Sequence, residues 1–248
     1  VYLPLFVRDA PVSEQQLLAV VLMWMPALAA LLTVGYRVVS GIPNSVAPAD
    51  RSRAAFIDAF SVLGLGGRGR RGVTFQLLFV AIALPVVTGT IAYGVAWVTG
   101  LTQLVDPTGG GRPLQNLLIE VGRAATIGTV LGIPIVAGEE IGWRSYLAPR
   151  LGRIGVRRPY VLGGIIWAGW HTPLIITGQY GGNPVPPVAV LSFALLAIAL
   201  HALWSETLVK TGSLWPAIAG QSAWNTVIQF PFDRHTGGDT AAVWIGDT

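Results

Sequence analysis

The sequence has no cysteine and few charged residues. Charged residues make up 11% of the 248 residues, compared with about 25% in a typical soluble domain. The absence of cysteine excludes disulfides, thiolate metal sites and a cysteine nucleophile. So little charge cannot cover a water-facing surface, which excludes a soluble enzyme, an ordinary nucleic-acid-binding domain and a disordered segment. Lysine is the rarest charged residue, since Lys210 is the only lysine and the other Lys/Arg positions are arginines.

Apolar residues take the place of the missing charge and are arranged in long blocks. Hydrophobic residues reach 52% and the mean hydropathy is +0.61. Each block is near the ~20 residues that cross the hydrocarbon core, whereas an outer-membrane barrel would show short alternating segments. We therefore predict an all-α, polytopic transmembrane helix bundle forming a single integral-membrane domain over 1–248. The six predicted spans are 17–39, 73–98, 124–147, 160–177, 187–209 and 213–230.

Arginine placement orients these spans. Arginine-rich connections at 51–71 and 150–158 alternate with a connection at 99–112 that holds one arginine and one at 178–186 that holds none. By the positive-inside rule the arginine-rich connections are cytoplasmic. We attribute the net charge of +4 to residues that set the topology and face anionic lipid, and not to nucleic-acid binding. The N-terminal residues then lie outside, so we expect a further helix upstream of Val1. The stretch 51–71 is read as a basic loop, with a surface-lying amphipathic helix as the alternative.

Two adjacent glutamates stand inside the third span. Glu139 and Glu140 precede Arg144 by five and four residues, and charges within a span are costly and usually functional. One arginine neutralises one glutamate, and neighbouring residues point to different faces of a helix. We therefore expect one carboxylate to pair with Arg144 and the other to remain available as a general base or acid. A purely structural ion cluster is the alternative.

Polar residues on three other spans reach a similar depth. At 1.5 Å per residue, the predicted cytoplasmic ends lie roughly 10 Å from Glu140, 16 Å from His171, 12 Å from Gln221 and His201, and 18 Å from Asn225. Buried polar groups need partners, so we predict a shared polar cavity that faces the cytoplasm. Each residue taken alone has a simpler interpretation as an interhelical hydrogen-bonding group.

Three segments in this order resemble one family. Glu139-Glu140-Ile141-Gly142-Trp143-Arg144 matches its EExxxR motif, Trp167-Ala168-Gly169-Trp170-His171 is similar to its aromatic-xxx-histidine motif, and 211–218 resembles the segment before its last motif. The sequence is identified as a member of the CPBP family, the CAAX-processing and bacteriocin-processing intramembrane proteases (Abi family). The resemblance covers a core of about 114–232. It implies a fold of about eight helices around a conical cavity and hydrolysis of a peptide bond by water.

The resemblance also implies roles for individual residues. Glu139 or Glu140 would activate the water, Arg144 would position the pair, His171 would orient the water, and Asn225 would stabilise the oxyanion. The last family motif normally begins with histidine, but here Gln221 stands at that position. No cofactor is certain; a divalent metal such as zinc, with His171 and Glu140 as ligands, is the open alternative. Glutamine is a poor ligand, so a metal-free mechanism tolerates the change better, unless His201 replaces the lost histidine.

Two functions of different classes follow. The first is a bacterial intramembrane endopeptidase in the inner (plasma) membrane, acting on a peptide or membrane-protein substrate near the cytoplasmic interface. The second is a catalytically inactive relative that serves as a scaffold, immunity or partner-binding protein, which Gln221 favours. A small transporter is a weaker third reading, since the sequence shows no paired repeats with broken helices. The expected surroundings are a lipid bilayer and, in the second case, a protein partner; nucleic acid is not expected.

Overall fold

A computed structural model describes residues 12–40, 63–65, 71–177 and 186–237, and these form a helical bundle with one short strand pair. All six predicted apolar blocks are helical, which confirms the all-α membrane bundle. The alternative helix within 51–71 lies outside the described residues apart from 63–65 and the start of the second helix. The elements are α1 (Val12–Val39), α2 (Arg71–Val98), β1 (Gln103–Leu104), α3 (Pro113–Arg153), α4 (Pro159–Ile176), α5 (Pro186–Thr211), α6 (Trp215–Val227) and β2 (Thr236–Gly237).

Four of the helices, α1, α2, α3 and α5, are long and apolar enough to cross a membrane. The fourth and sixth predicted blocks correspond to the shorter helices α4 and α6. Large apolar side chains on the outside of the bundle are exposed, such as Phe75 at 73% and Phe79 at 74%. Contact with lipid tails is favourable for such side chains, whereas their exposure to water is unfavourable in free energy. The protein is therefore a membrane protein.

Helix α3 is a composite helix that runs through the middle of the bundle. It changes from α-helical to π-helical geometry at Ala124–Gly128 and again at Ile141–Leu147, directly after the two glutamates. A π-helical turn inserts an extra residue and is common at functional sites. The sequence analysis predicted the span 124–147; the structure extends the helix in both directions, to Pro113 and to Arg153. Pro113 is compatible with the first turn of a helix.

Small residues let the helices approach closely. α1 and α6 both pack against α3, α2 packs against α6, and α4 packs against α5. A methyl group added at Gly163 would lie 2.5 Å from the His201 ring, and one at Gly220 would lie 2.5 Å from the Trp204 ring. Without a hydrophobic force between helices in lipid, such close packing is a main source of association. The largest core cluster contains Trp143, Trp167, Trp204, Leu214 and Ile218.

The contact between α1 and α3 uses two glycines one turn apart. A methyl group on Gly138 would lie 2.7 Å from the Trp24 Cα, and one on Gly142 would lie 2.2 Å from the Pro26 Cβ. The Trp24 indole also donates a hydrogen bond of 2.9 Å to the Pro134 carbonyl. This small-xxx-small spacing brings two helix backbones together in membranes. It also fixes which face of α3 is turned toward α1.

The segment after α6 packs at the end of the bundle where α3 begins. Its strand β2 pairs antiparallel with β1, and the Tyr93 hydroxyl donates a hydrogen bond to the Asp233 carboxylate. His235 is fully buried, with Nδ1 at 2.9 Å from the Pro231 carbonyl and 3.8 Å from Glu120 Oε2. This segment ties α6 to α2 and α3, roughly 28 Å along α3 from Glu139.

The loop between β1 and α3 is organised by Asp106. The Thr108 hydroxyl donates a hydrogen bond of 2.7 Å to Oδ1 and the Arg112 backbone amide donates one of 3.1 Å to Oδ2. These hydrogen bonds, with that of Thr108 the largest contribution, hold the pKa of Asp106 below its usual range. The carboxylate therefore stays ionised and keeps the loop joined to the start of α3.

Candidate active site

Glu139 faces residues from two other helices. Gln221 on α6 donates a hydrogen bond from Nε2 to Glu139 Oε2 over 2.6 Å. His171 on α4 places Nε2 at 3.8 Å from Glu139 Oε1. Glu139 is 1% exposed, Gln221 is 3% and His171 is 9%. The structure thus brings together three of the predicted site residues, with Gln221 and His171 beside the buried carboxylate of Glu139.

Glu140 is held in a separate ion pair. Its Oε1 lies 2.8 Å from Arg144 Nη1, and both side chains are fully buried. The Arg144 guanidinium also lies over the Trp167 ring, with its Cζ 4.1 Å from the ring centroid, a cation–π arrangement. The contacts therefore match the expected arrangement, in which one carboxylate pairs with arginine: Arg144 binds Glu140, and Glu139 faces Gln221 and His171 instead.

The local sequence explains this division. Successive residues of a helix are rotated by about 100°, so Gly138, Glu139 and Glu140 point in three directions. Gly138 is against α1, which turns Glu139 and Glu140 toward the rest of the bundle. Arg144 follows Glu140 at i+4, the spacing at which side chains of a helix meet, and the π-helical turn between them begins at Ile141.

His171 is oriented by its own helix and by aromatic neighbours. Its Nδ1 lies 3.0 Å from the Trp167 carbonyl. A carbonyl only accepts, so this nitrogen carries the hydrogen, and in a neutral imidazole Nε2 is then the acceptor. The ring is packed against Phe193 at 4.8 Å and edge-on to Trp167 at 5.7 Å between centroids. The nitrogen that faces Glu139 is therefore fixed in direction.

The other two polar residues occupy different positions. Asn225 lies one turn beyond Gln221 on the same face of α6 and is partly exposed. His201 on α5 is fully buried; its ring fills the space beside Gly163, and its Nδ1 lies 3.5 Å from the Ser205 hydroxyl. These contacts place His201 in the packing of α4 against α5. In the described part of the chain its interactions on α3 are with Trp143 and Arg144, and no contact with Glu139 supports it as a replacement for the missing histidine.

The donor set does not fit a zinc site. Catalytic zinc usually has three protein ligands from histidine, carboxylate or thiolate. In the described ranges no group of three such side chains could hold a metal ion. Of the two tentative ligands, His171 faces Glu139, whereas Glu140 is bound to Arg144. Gln221 could add only an amide oxygen, which is a weak ligand, so these residues do not complete a zinc site.

A three-residue segment joins the C-terminal part of α3 to the N-terminus of α6. The Ser145 hydroxyl donates a hydrogen bond to the Leu63 carbonyl, and the Leu214 amide donates one of 2.9 Å to the Gly64 carbonyl. Gly64 has a φ of 74°, a conformation that favours glycine. We call residues 63–65 the backbone clip. It connects the residue after Arg144 to the residue that precedes α6, and so bears on the distance between Glu139 and Gln221.

Comparison with known proteins adds a family to this geometry. Residues 122–227 match the family model for type II CAAX prenyl endopeptidase Rce1-like proteins. This match covers less than half of the chain and supports the resemblance of residues 122–227, the CPBP region, to the CPBP family. Neither the comparison with curated proteins nor the comparison with solved structures gave a match. The CPBP region contains all six predicted site residues, Glu139, Glu140, Arg144, His171, Gln221 and Asn225, and a family of this type implies a peptide or protein substrate in the membrane.

The sequence reasoning missed three contributors to the candidate site. The α1-facing glycines, the backbone clip and Phe193 beside His171 were not anticipated. The spacing Gly138-xxx-Gly142 is a packing signal that the sequence contains and that could have been found. Nothing in the sequence near Leu63 indicates that its carbonyl bonds Ser145, which is 82 residues away.

Proposed function

We propose that the protein is an intramembrane endopeptidase of the CPBP type in which Glu139 activates the attacking water. One observation carries the proposal: Glu139 is buried between Gln221 and His171, whereas the ion pair of Arg144 in the described part of the chain is with the neighbouring Glu140. Two adjacent carboxylates thus differ in their partners. That difference supports one as a base and the other as part of the scaffold.

The proposed reaction begins with a water beside Glu139 and His171. The Glu139 carboxylate takes one proton while the water oxygen bonds to the carbonyl carbon of the substrate, and the electron pair of the C=O bond moves to oxygen. The Asn225 amide donates a hydrogen bond to this oxyanion, a role that side-chain amides can fill. When the C–N bond breaks, the proton on Glu139 passes to the leaving amine, and the oxyanion re-forms a carbonyl as a carboxylic acid product.

Gln221 has a positioning role in this scheme. An amide does not titrate near neutral pH, so Gln221 cannot shuttle a proton. Its Nε2 hydrogen instead holds one oxygen of Glu139 in a hydrogen bond of 2.6 Å. Its Oε1 is buried with no hydrogen-bond partner in the described ranges, which leaves an acceptor for the water or for a substrate amide.

The surroundings of the site follow from the same proposal. We infer a multi-pass protein of a bacterial inner membrane, one integral domain over 1–248 with its catalytic core at about 114–232. The cavity would open toward the cytoplasm, because the arginine-rich connections lie at that end by the positive-inside rule. The substrate would be a peptide segment or a membrane protein cut near the cytoplasmic interface, in contact with the lipid bilayer.

Proteolysis in proteoliposomes tests the proposal. The purified protein is incubated with a panel of quenched fluorescent peptides, with Glu139→Gln as the inactive variant and an EDTA arm. Cleavage that Glu139→Gln lowers by about 10²–10⁴-fold, the usual range for a general base, and that EDTA leaves unchanged supports the mechanism. Cleavage that survives Glu139→Gln, or that EDTA abolishes, contradicts it.

The second candidate is a catalytically inactive CPBP homologue that binds a membrane or peptide partner as a scaffold or immunity protein. The observation in its favour is Gln221, which stands where the family motif has a histidine and which occupies Glu139 Oε2 with its own hydrogen bond. Gln221→His separates the two candidates. Cleavage that starts only in Gln221→His supports the inactive role, and cleavage by the unchanged sequence excludes it.

A further inference from the structure

A group of arginines lies at the end of the α1–α3 pair. The two helices cross in parallel, since Trp24 meets Gly138 and Pro26 meets Gly142 two residues later on α1 and one turn later on α3. At 1.5 Å per residue, Arg37 then lies roughly 16 Å beyond Pro26 and Arg150 roughly 12 Å beyond Gly142. The parallel crossing therefore carries both arginines to the same end of the bundle.

The charges in this group repel each other. Arg37 and Arg153 both lie near enough to Arg150 for like-charge repulsion. Arg150 is held in place, with its Cζ 3.5 Å above the Tyr146 ring and its Nη1 donating a hydrogen bond of 3.2 Å to the Tyr146 carbonyl. In the described ranges no acidic side chain forms an ion pair with Arg37 or Arg150. Among the described residues, two guanidinium groups thus converge without an acidic side chain between them.

The surface around these arginines is apolar and open. Tyr36 is 66% exposed, Val39 is 82% and Ile154 is 76%. A tyrosine at the end of an apolar helix is typical of the membrane–water interface. Arginine presents a planar fork of donors that matches a phosphate group, and lysine is absent from this region of the chain. Apolar side chains beside a pair of guanidinium groups match the two parts of a phospholipid.

We propose that Arg37 and Arg150 together bind the phosphate of an anionic phospholipid headgroup, whose acyl chains lie against the adjoining exposed side chains. The positive-inside rule requires basic residues on one side of the membrane, but it does not require residues from α1 and α3 to meet. A phosphate between them removes the repulsion and joins the ends of the two helices. Basic pockets between membrane helices are known to bind such headgroups.

The binding site also adjoins the candidate active site. Tyr146, on which Arg150 stacks, belongs to the π-helical turn Ile141–Leu147 that carries Arg144. A lipid held at Arg150 would therefore stabilise the segment that positions Glu140. The proposal does not depend on the proposed enzymatic function, because the arginines, their spacing and their surroundings would bind the lipid in an inactive homologue as well.

Thermal unfolding in detergent tests the proposal. The midpoint is followed by tryptophan fluorescence with added phosphatidylglycerol, phosphatidylcholine or inorganic phosphate. A ligand that binds only the folded state raises the midpoint with its concentration. We expect phosphatidylglycerol to raise it by several degrees, and the double variant Arg37→Gln/Arg150→Gln to lose most of that shift. Arg112→Gln/Arg123→Gln, which removes the same charge at the opposite end, should keep it.

A second measurement covers the case in which the double variant does not fold. Native mass spectrometry counts phosphatidylglycerol bound to the unchanged protein, to Arg37→Gln and to Arg112→Gln. Loss of one charge-assisted contact should weaken binding by roughly tenfold or more, in Arg37→Gln alone. Equal binding in all three, or an equal midpoint shift with phosphatidylcholine, overturns the proposal. An equal shift with inorganic phosphate overturns the lipid assignment and leaves a free-anion site.

Discussion

Gln221 on α6 donates its Nε2 hydrogen to Oε2 of Glu139 on α3 over 2.6 Å. This bond joins the two helices that carry most of the predicted site. It is also the contact at which the chain departs from the family motif, because the position normally holds a histidine that can titrate. The chemistry proposed for the site therefore depends on what an amide can do beside a buried carboxylate.

Removing that bond without changing the volume tests the role of the amide. Gln221→Met keeps a side chain of similar size and lacks the donor. A hydrogen bond to a charged group is worth about 1.5–3 kcal/mol, so kcat should fall by roughly 10- to 150-fold. We expect KM to change little, since substrate binding does not use the bond. Steady-state kinetics at fixed folded protein measures both, and an unchanged kcat would refute the role.

The Glu140–Arg144 pair should behave as a structural unit. Removing one partner leaves a buried charge without compensation, which destabilises by about 3–5 kcal/mol. Arg144→Met should therefore lower the free energy of unfolding by this order, and Glu140→Gln should lower it similarly. Because the residues are in contact, the double variant should lose less than the sum of the two. A double-mutant cycle by denaturant unfolding checks this, and strict additivity would argue against the pair.

The α1–α3 contact should not tolerate a methyl group. Gly142→Ala would place its Cβ 2.2 Å from the Pro26 Cβ and 2.6 Å from the Pro26 carbonyl carbon, so a backbone must shift. Overpacking of this kind costs about 1–3 kcal/mol. Gly122→Ala is the matched control in the same helix, since nothing lies within 4 Å of its Cβ. Thermal unfolding should show a lower midpoint for Gly142→Ala only.

The backbone clip allows a second matched pair of glycines. Gly64 and Gly100 both have a φ of 74°, so alanine costs the same backbone strain at either position. At Gly64 the new Cβ would also meet Leu208 Cδ1 at 2.8 Å, whereas at Gly100 nothing lies within 4 Å.

Gly64→Ala should therefore lower the unfolding midpoint more than Gly100→Ala does. If the enzyme is active, it should also lower kcat, because the clip spans α3 and α6. The outcome that would contradict this is an equal fall in the midpoint and in kcat for the two variants, since the strain alone would then account for the effect.

The sequence predicts the helices well, for physical reasons, and it predicts site residues that the structure places in one part of the bundle. Long apolar blocks are strong signals because lipid forces backbone groups into helices, and a charged residue such as Glu139 stands out against them. The choice between Glu139 and Glu140 cannot be made from sequence, because α-helical geometry favours an i+4 partner for Arg144 and π-helical geometry favours an i+5 partner. The contacts resolve that choice in favour of Glu140 as the partner of Arg144.

Long-range tertiary contacts were beyond sequence reasoning. His235 follows the last predicted span as one of several polar residues, yet it is fully buried because β2 pairs with β1, 132 to 134 residues earlier in the chain. The bond between Ser145 and Leu63 is similarly distant. Such contacts depend on how the helices pack, and local composition does not record that packing.

The central claim is that Glu139, and not Glu140, is the base. The most direct measurement compares kcat for Glu139→Gln and Glu140→Gln in the same proteoliposomes, each corrected for the fraction of folded protein. The account predicts that Glu139→Gln lowers kcat by about 10²–10⁴-fold while it unfolds near the temperature of the unchanged protein. Glu140→Gln should lower stability and, per folded molecule, keep most of its activity. The reverse pattern, with Glu140→Gln inactive although folded and Glu139→Gln active, would contradict the account.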